Sequence, residues 1–123
     1  MEKIELLENK GIMVFDLNGM LNAYPMKSEK AEIKVVCNNL IKYSFEKGLL
    51  KNTPYNNKDE LNDNLIIYQN DLTEKGKMVF NDLMFDWLRY TDNKIGNVDR
   101  KNNIKMLDKY FSKIINNKNI EEN

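Results

Sequence analysis

Apolar positions near the start of the chain alternate. Met13, Phe15 and Leu17 fall on one side of an extended segment, Val14 and Asp16 on the other. Asn18-Gly19 follows, the dipeptide best suited to a type I′ turn, whose central residues both need positive φ. Gly11 to Tyr24 therefore predicts a β-hairpin, closed by Pro25. The spacing then becomes helical. Ile33, Val36, Cys37, Leu40, Ile41 and Phe45 make one stripe, Ser28 stands at the N-cap position and Gly48 at C′, which predicts a helix over 29–47. Leu49 to Asn64 is polar and reads as a loop around Thr53-Pro54-Tyr55-Asn56-Asn57. Leu65 to Tyr68 is a short third strand by its β-branched and aromatic content.

Two more helices follow. Asp71 or Thr73 caps a helix over 74–91 whose buried stripe is Val79, Phe80, Leu83, Met84, Trp87 and Leu88. Trp87 is its expected core anchor, since one Trp buries on the order of 200 Å². After a loop over 91–97, Asp99 caps a helix over 100–115 with Ile104, Leu107, Phe111, Ile114 and Ile115 inward and Asp108 beside them. A further helix starting at Glu2 would have about two turns, marginal by itself. The order hairpin, helix, strand, helix, helix is an α+β pattern. The expected fold is an N-terminal β-hairpin plus a short third strand packed with three amphipathic helices. It forms a single globular domain over 1–115, followed by a frayed polar tail over 116–123.

Composition narrows the chemistry. The 123 residues carry 19 Lys+Arg against 19 Asp+Glu, no His and one Cys, with 41% hydrophobic residues. That length suits one domain with a real core. Zero net charge argues against sequence-independent nucleic-acid binding, which needs a basic surplus. Without His, triad, zinc and imidazole acid–base chemistry lose their usual forms. A lone thiol excludes a disulfide framework, and Cys37 on an apolar stripe with no His base reads as a small core residue. No apolar run reaches the roughly 20 residues of a membrane span, and the first residues lack a signal-peptide core. A cytoplasmic protein is the expectation.

Candidate sites are few. Asp82 and Asp86 share a helix face that Arg89 joins at the next turn. With Asp71, Glu74 or Asp92 such carboxylates could bind a divalent cation; the plainer reading is a solvated face with Asp–Arg pairs. A third reading offers the negative charge of Asp82, Asp86 and Asp92 to a basic protein. Asp92 to Asp99 lacks the spaced acidic positions and closing Glu of a calcium loop and reads as a turn. There is no glycine-rich phosphate loop. Tyr43, Tyr55 and Tyr90 lie off the core stripes and are candidate interface aromatics.

Two stretches carry resemblances. Phe45 to Lys51, then a strand, then Asp71 to Lys77, resembles the wing of winged-helix regulators, where a recognition helix ends in EKGL and the helix after the wing starts with LTEKGK. That resemblance implies a DNA-binding transcriptional regulator with phosphate contacts at Lys34, Lys42, Lys47 and Lys51. Such domains place two further helices before the recognition helix, where this chain's pattern reads as a hairpin. The other stretch is Leu72 to Gly76, Phe80, Asp86 to Asp92 and a final amphipathic helix. It resembles small immunity proteins of bacterial contact-dependent inhibition and related polymorphic-toxin systems. This second resemblance implies a stoichiometric inhibitor, without catalytic activity, cofactor or metal, that binds a cognate toxin domain, often a nuclease, and occludes its active site. The residues expected to meet that partner are Asp82, Asp86, Arg89, Tyr90 and Asp92, with Asp59 and Glu60 from the loop.

Overall fold

A computed structural model describes residues 10–24, 26–92 and 99–120. The possible helix at Glu2 and most of the 91–97 loop lie outside those residues. The element order is strand β1 (Met13–Asp16), helix α1 (Leu17–Asn22), helix α2 (Lys27–Glu46), strand β2 (Ile66–Tyr68), helix α3 (Glu74–Asp92) and helix α4 (Ile104–Asn117). Short 3₁₀ turns at Gln69–Asp71 and Arg100–Asn102 precede α3 and α4. The α+β class holds, with a two-stranded antiparallel sheet rather than a hairpin and a third strand.

The hairpin is the main correction. β1 pairs with β2, some fifty positions later, with Phe15 opposite Ile67 and Asp16 opposite Ile66. Asn18-Gly19 lies inside α1. The physical reason is a change of period at Leu17. Phe15 and Leu17 are both buried, but the next residues to reach the same core are Met20 and Leu21, at helical spacing. The Leu17 N–H leaves the strand by donating to the Leu65 carbonyl at 3.0 Å, and the Asn18 amide donates to the Asn64 side chain at 3.0 Å. Packing thus overrides a local turn preference.

The long helices follow their stripes. Val36, Cys37, Leu40 and Ile41 of α2 are buried, as are Val79, Phe80, Leu83 and Trp87 of α3 and Leu107, Phe111, Ile114 and Ile115 of α4. Ile104 departs, being 39% exposed at the start of α4. α2 begins at Lys27 after Met26, so Ser28 sits inside the helix and does not cap it. α2 ends as expected. Gly48 takes φ +73°, its N–H donates to the Phe45 carbonyl at 3.1 Å, and the Leu49 N–H donates to the Ser44 carbonyl at 3.0 Å, a Schellman closure. α4 runs past 115 to Asn117 and closes the same way. There Asn119 is at φ +53°, and the Ile120 N–H donates to the Ile115 carbonyl at 3.0 Å. Ile120 packs against the core.

α2 divides the interior into two apolar clusters. Val36, Leu40 and Tyr43 join Trp87, Leu107 and Phe111 on one side; Cys37 and Ile41 join Phe15, Leu17, Ile67 and Phe80 on the other. The Trp87 indole N–H donates to the Val36 carbonyl at 3.0 Å, which pins α3 across the middle of α2. Tyr43, expected at the surface, is only 5% exposed. Its hydroxyl donates to the Asp108 carboxylate at 2.6 Å and its ring meets Phe111 edge-on at 5.9 Å. That bond explains why Asp108 can sit beside the α4 stripe: the carboxylate supplies the acceptor a buried phenol needs.

The start of α3 lies directly against the end of α2. Thr73 caps α3, its hydroxyl accepting from the Gly76 N–H at 3.0 Å and donating to the Gly48 carbonyl at 2.7 Å. The Thr73 N–H donates to the Leu49 carbonyl at 3.0 Å. A Cβ on Gly76 would fall 2.0 Å from that same Leu49 oxygen, whereas one on Gly48 would meet nothing within 4 Å. The two glycines therefore serve different needs. Gly48→Ala is expected to cost about 1–2 kcal/mol through its left-handed backbone alone, and Gly76→Ala about 3 kcal/mol or more through a clash with backbone that cannot turn aside. Urea unfolding of both variants checks this; equal costs, or the reverse order, would refute the backbone contact.

Candidate functional site

The face expected to bind a partner lies on the outer side of α3, where it packs against α4. Asp82, Phe85, Asp86 and Arg89 from α3 and Lys113, Ile114 and Asn117 from α4 line an open groove of about 230 Å³. The sequence expectation that Asp82, Asp86 and Arg89 share a face holds. Each carboxylate has a cation at hand: the Arg89 guanidinium is 2.7 Å from Asp86, and the Lys118 ammonium is 2.7 Å from Asp82. Lys118 also donates to the Met78 carbonyl at 2.6 Å, which ties the end of α4 to the early part of α3. With Lys113 on the rim, the groove carries both signs of charge and is not a purely acidic patch.

The other expected partner residues are placed elsewhere. Tyr90 is half-buried and faces the second 3₁₀ turn. Its hydroxyl accepts from the Asn103 amide at 2.8 Å, the Arg100 guanidinium lies 4.8 Å above its ring, and its ring neighbours are Trp87 and Tyr110 at 6.0 and 6.2 Å. These contacts occupy Tyr90 internally. Burial, with the Asp86 carboxylate adding, holds the Tyr110 phenol above its ordinary pKa. Asp92 is exposed on the last residue of α3. Asp59 and Glu60 are exposed in the loop before β2, where Asp59 adopts φ +59° and the Asn56 side chain accepts from the Glu60 N–H at 3.2 Å. Neither lines the groove, and Leu61 beside them is anchored in the cluster around Phe15 and Cys37. Tyr55 is half-buried, edge-on to Phe45 at 5.9 Å.

The groove's most distinctive residue escaped the sequence reading. Phe85 is 63% exposed, and Met78, two turns earlier on the same side of α3, is 46% exposed. A helical wheel carries the signal. With Val79, Phe80, Leu83, Met84, Trp87 and Leu88 turned inward, Phe85 falls among Met78, Asp82 and Arg89 on the polar face. An aromatic ring on a packed helix exposes a large apolar area that a partner can desolvate. A second exposed aliphatic group, Ile12, Met13 and Ile66, lies at the sheet.

The remaining expected chemistry can be placed as well. Among the described residues no three His, Cys, Asp or Glu side chains converge as a metal site would require. None of the described helices is long and apolar enough to cross a membrane. Lys34 pairs loosely with Asp63 at 3.7 Å, and Lys47 lies 5.5 Å from the rings of both Tyr43 and Phe111. The sequence matches no family profile, no curated protein and no solved structure.

Cys37 is fully buried, and desolvation pushes its thiol from an ordinary 9.0 up to about 12. Between those values the unfolded chain loses the proton while the folded chain keeps it. Stability is therefore expected to fall as pH rises from 9 toward 12, by at most about 1.4 kcal/mol per pH unit from this group. Denaturant midpoints measured across that range check the effect. Cys37→Ala should flatten the slope; an unchanged slope would remove the thiol as its source.

Proposed function

We propose that this chain is a stoichiometric inhibitor of the immunity-protein kind. It captures a cognate bacterial toxin domain, of which a nuclease is the leading candidate, in the cytoplasm, and blocks the active site by occupying it. Occlusion requires a rigid surface and no catalytic group. The observation that carries the reading is Phe85, a 63% exposed ring on a helix otherwise locked into the core, standing in a groove edged by charges of both signs. Exposed aromatics of this kind, ringed by polar side chains, anchor protein interfaces.

On this reading the charges of the groove bear on the rate of capture. Asp82 and Asp86 are neutralised within the chain, so long-range steering contributes less than an unpaired acidic patch would. Exposed ion pairs contribute only about 0–1 kcal/mol each, so Arg89, whose guanidinium is largely exposed, can swing away to let a partner's cation reach Asp86. Phe85 then supplies the burial, and the carboxylates fix its register.

Co-expression with the toxin domain encoded just upstream tests the reading. Growth is expected to be restored, and the two proteins to co-purify one to one. Phe85→Ala should weaken capture by roughly 30-fold or more, mostly through faster dissociation, as an anchor costing about 2 kcal/mol would. The double variant Asp82→Lys with Asp86→Lys should slow association by roughly tenfold at low salt. Death of the cells despite co-expression, or wild-type capture by Phe85→Ala, would sink it.

A further inference from the structure

The outer side of α3 carries a pattern that fits its own copy. Asp82, Phe85 and Arg89 follow one another at steps of three and four, so they stand in one row. The ring is in the middle, and opposite charges lie at the two ends, about 10 Å apart along the helix axis. Phe85 is 63% exposed and the Arg89 side chain 77%. The groove beside the row is balanced as well, since its lining sets Asp82 and Asp86 against Arg89 and Lys113. A partner of one sign would meet as much repulsion as attraction there. A surface turned against itself by a two-fold axis meets its own opposite signs.

We propose that this face of α3 is a homodimer interface, in which two copies pack their α3 helices antiparallel about a two-fold axis beside Phe85. Reversing the helix direction sets Asp82 of each copy against Arg89 of the other and brings each Phe85 ring over the other's groove. That groove, of about 230 Å³, has room for it; a cavity of about 150 Å³ takes a benzene ring. The ion pairs within each chain do not stand in the way. Lys118 contacts Oδ2 of Asp82, a half-exposed carboxylate, and Arg89 meets Asp86 through Nη2. A carboxylate has two oxygens and a guanidinium several donors, so both groups keep these contacts and pair across the axis as well. Met78, 46% exposed on the same side, extends the apolar area beyond Asp82. A contact of one helix row and a groove rim belongs with the weak interfaces, under about 1,200 Å² in total, so the dimer forms reversibly. The dimer stands on the groove's own geometry; only its consequence, that it must open before a toxin domain is captured, rests on the inhibitor reading.

The test is sedimentation velocity of the full chain between about 10 µM and about 1 mM, the range in which a weak interface is populated. The mass should rise with concentration from 14.6 kDa toward twice that value. Every substitution acts twice across a two-fold axis, so Phe85→Ala, at roughly tenfold per contact, should weaken the dimer roughly 100-fold. Ile12→Ser, in the exposed apolar group at the sheet, should leave it unchanged. Asp82→Arg and Arg89→Asp should each be monomeric, because like charges then face each other twice. Mixed together, those two variants should pair with one another at close to wild-type strength, since each contact across the axis again joins an acid to a base. A role confined to ion pairs within the chain would not give that rescue. A wild-type chain that stays monomeric at the highest concentration, a dimer that Phe85→Ala leaves intact, or two variants that do not pair when mixed overturns the proposal. The substituted side chains are exposed, and melting curves matching the wild type verify that each variant keeps the fold. A dimer in a chain that gives no protection from the toxin would remove the inhibitor reading and leave the interface; a strictly monomeric chain that protects would do the reverse.

Discussion

The structure depends on a single close approach of two backbones, at Leu49 and Gly76. α2 closes on Gly48, and the very next carbonyl lies where a side chain at Gly76 would have to be. Thr73 welds the joint, since one hydroxyl both caps α3 and donates to the Gly48 carbonyl. The other connections follow from this joint. Leu50 bridges to Leu72, and the Lys51 N–H donates to the Asp71 carbonyl at 2.9 Å. That brings the chain before α3 back alongside the end of α2, with β2 just upstream and in position to pair with β1. A sheet of only two strands is marginal alone and needs such a platform.

With α2 and α3 joined at one end, Trp87 fixes their crossing at the other. Its indole N–H donates to a carbonyl in the middle of α2, and its ring fills the cluster shared with α4. α4 then seats against both helices, and Lys118 clamps its end to the Met78 carbonyl. α2 is left between two apolar clusters with only one residue per turn open to water from Lys34 to Lys42. α3 has a wider outer side, which is why a ring as large as Phe85 can stand there without disturbing the core. The face on which function is proposed is the part of α3 that packing leaves over.

Legibility in the sequence followed the length of the periodic signal. The α2, α3 and α4 stripes span many residues, so chance alternations average out, and the buried positions and the Gly48 closure were readable. The segment from Met13 to Asn22 is too short for that. Met13, Phe15 and Leu17 fit a strand, Leu17, Met20 and Leu21 fit a helix, and Asn18-Gly19 tipped the reading toward a turn that tertiary packing does not use. Tyr43 and Tyr90 misled for a different reason. A stripe drawn from aliphatic residues does not reveal that Asp108 or Asn103, more than a dozen residues away, will satisfy a buried phenol. The need for a glycine at 76 comes from Leu49, which only the fold brings near.

Charge was the least legible property because pairing, not counting, decides it. Asp82, Asp86 and Asp92 read as an acidic cluster along the sequence. In space, Lys118 arrives from the far end of α4 and Arg89 folds back one turn, and the first two carboxylates lose their net field. What remains for a partner is apolar area, and Phe85 supplies it. Aromatic burial acts chiefly on dissociation and steering chiefly on association, so the change from acidic patch to ringed anchor alters which rate constant should govern capture.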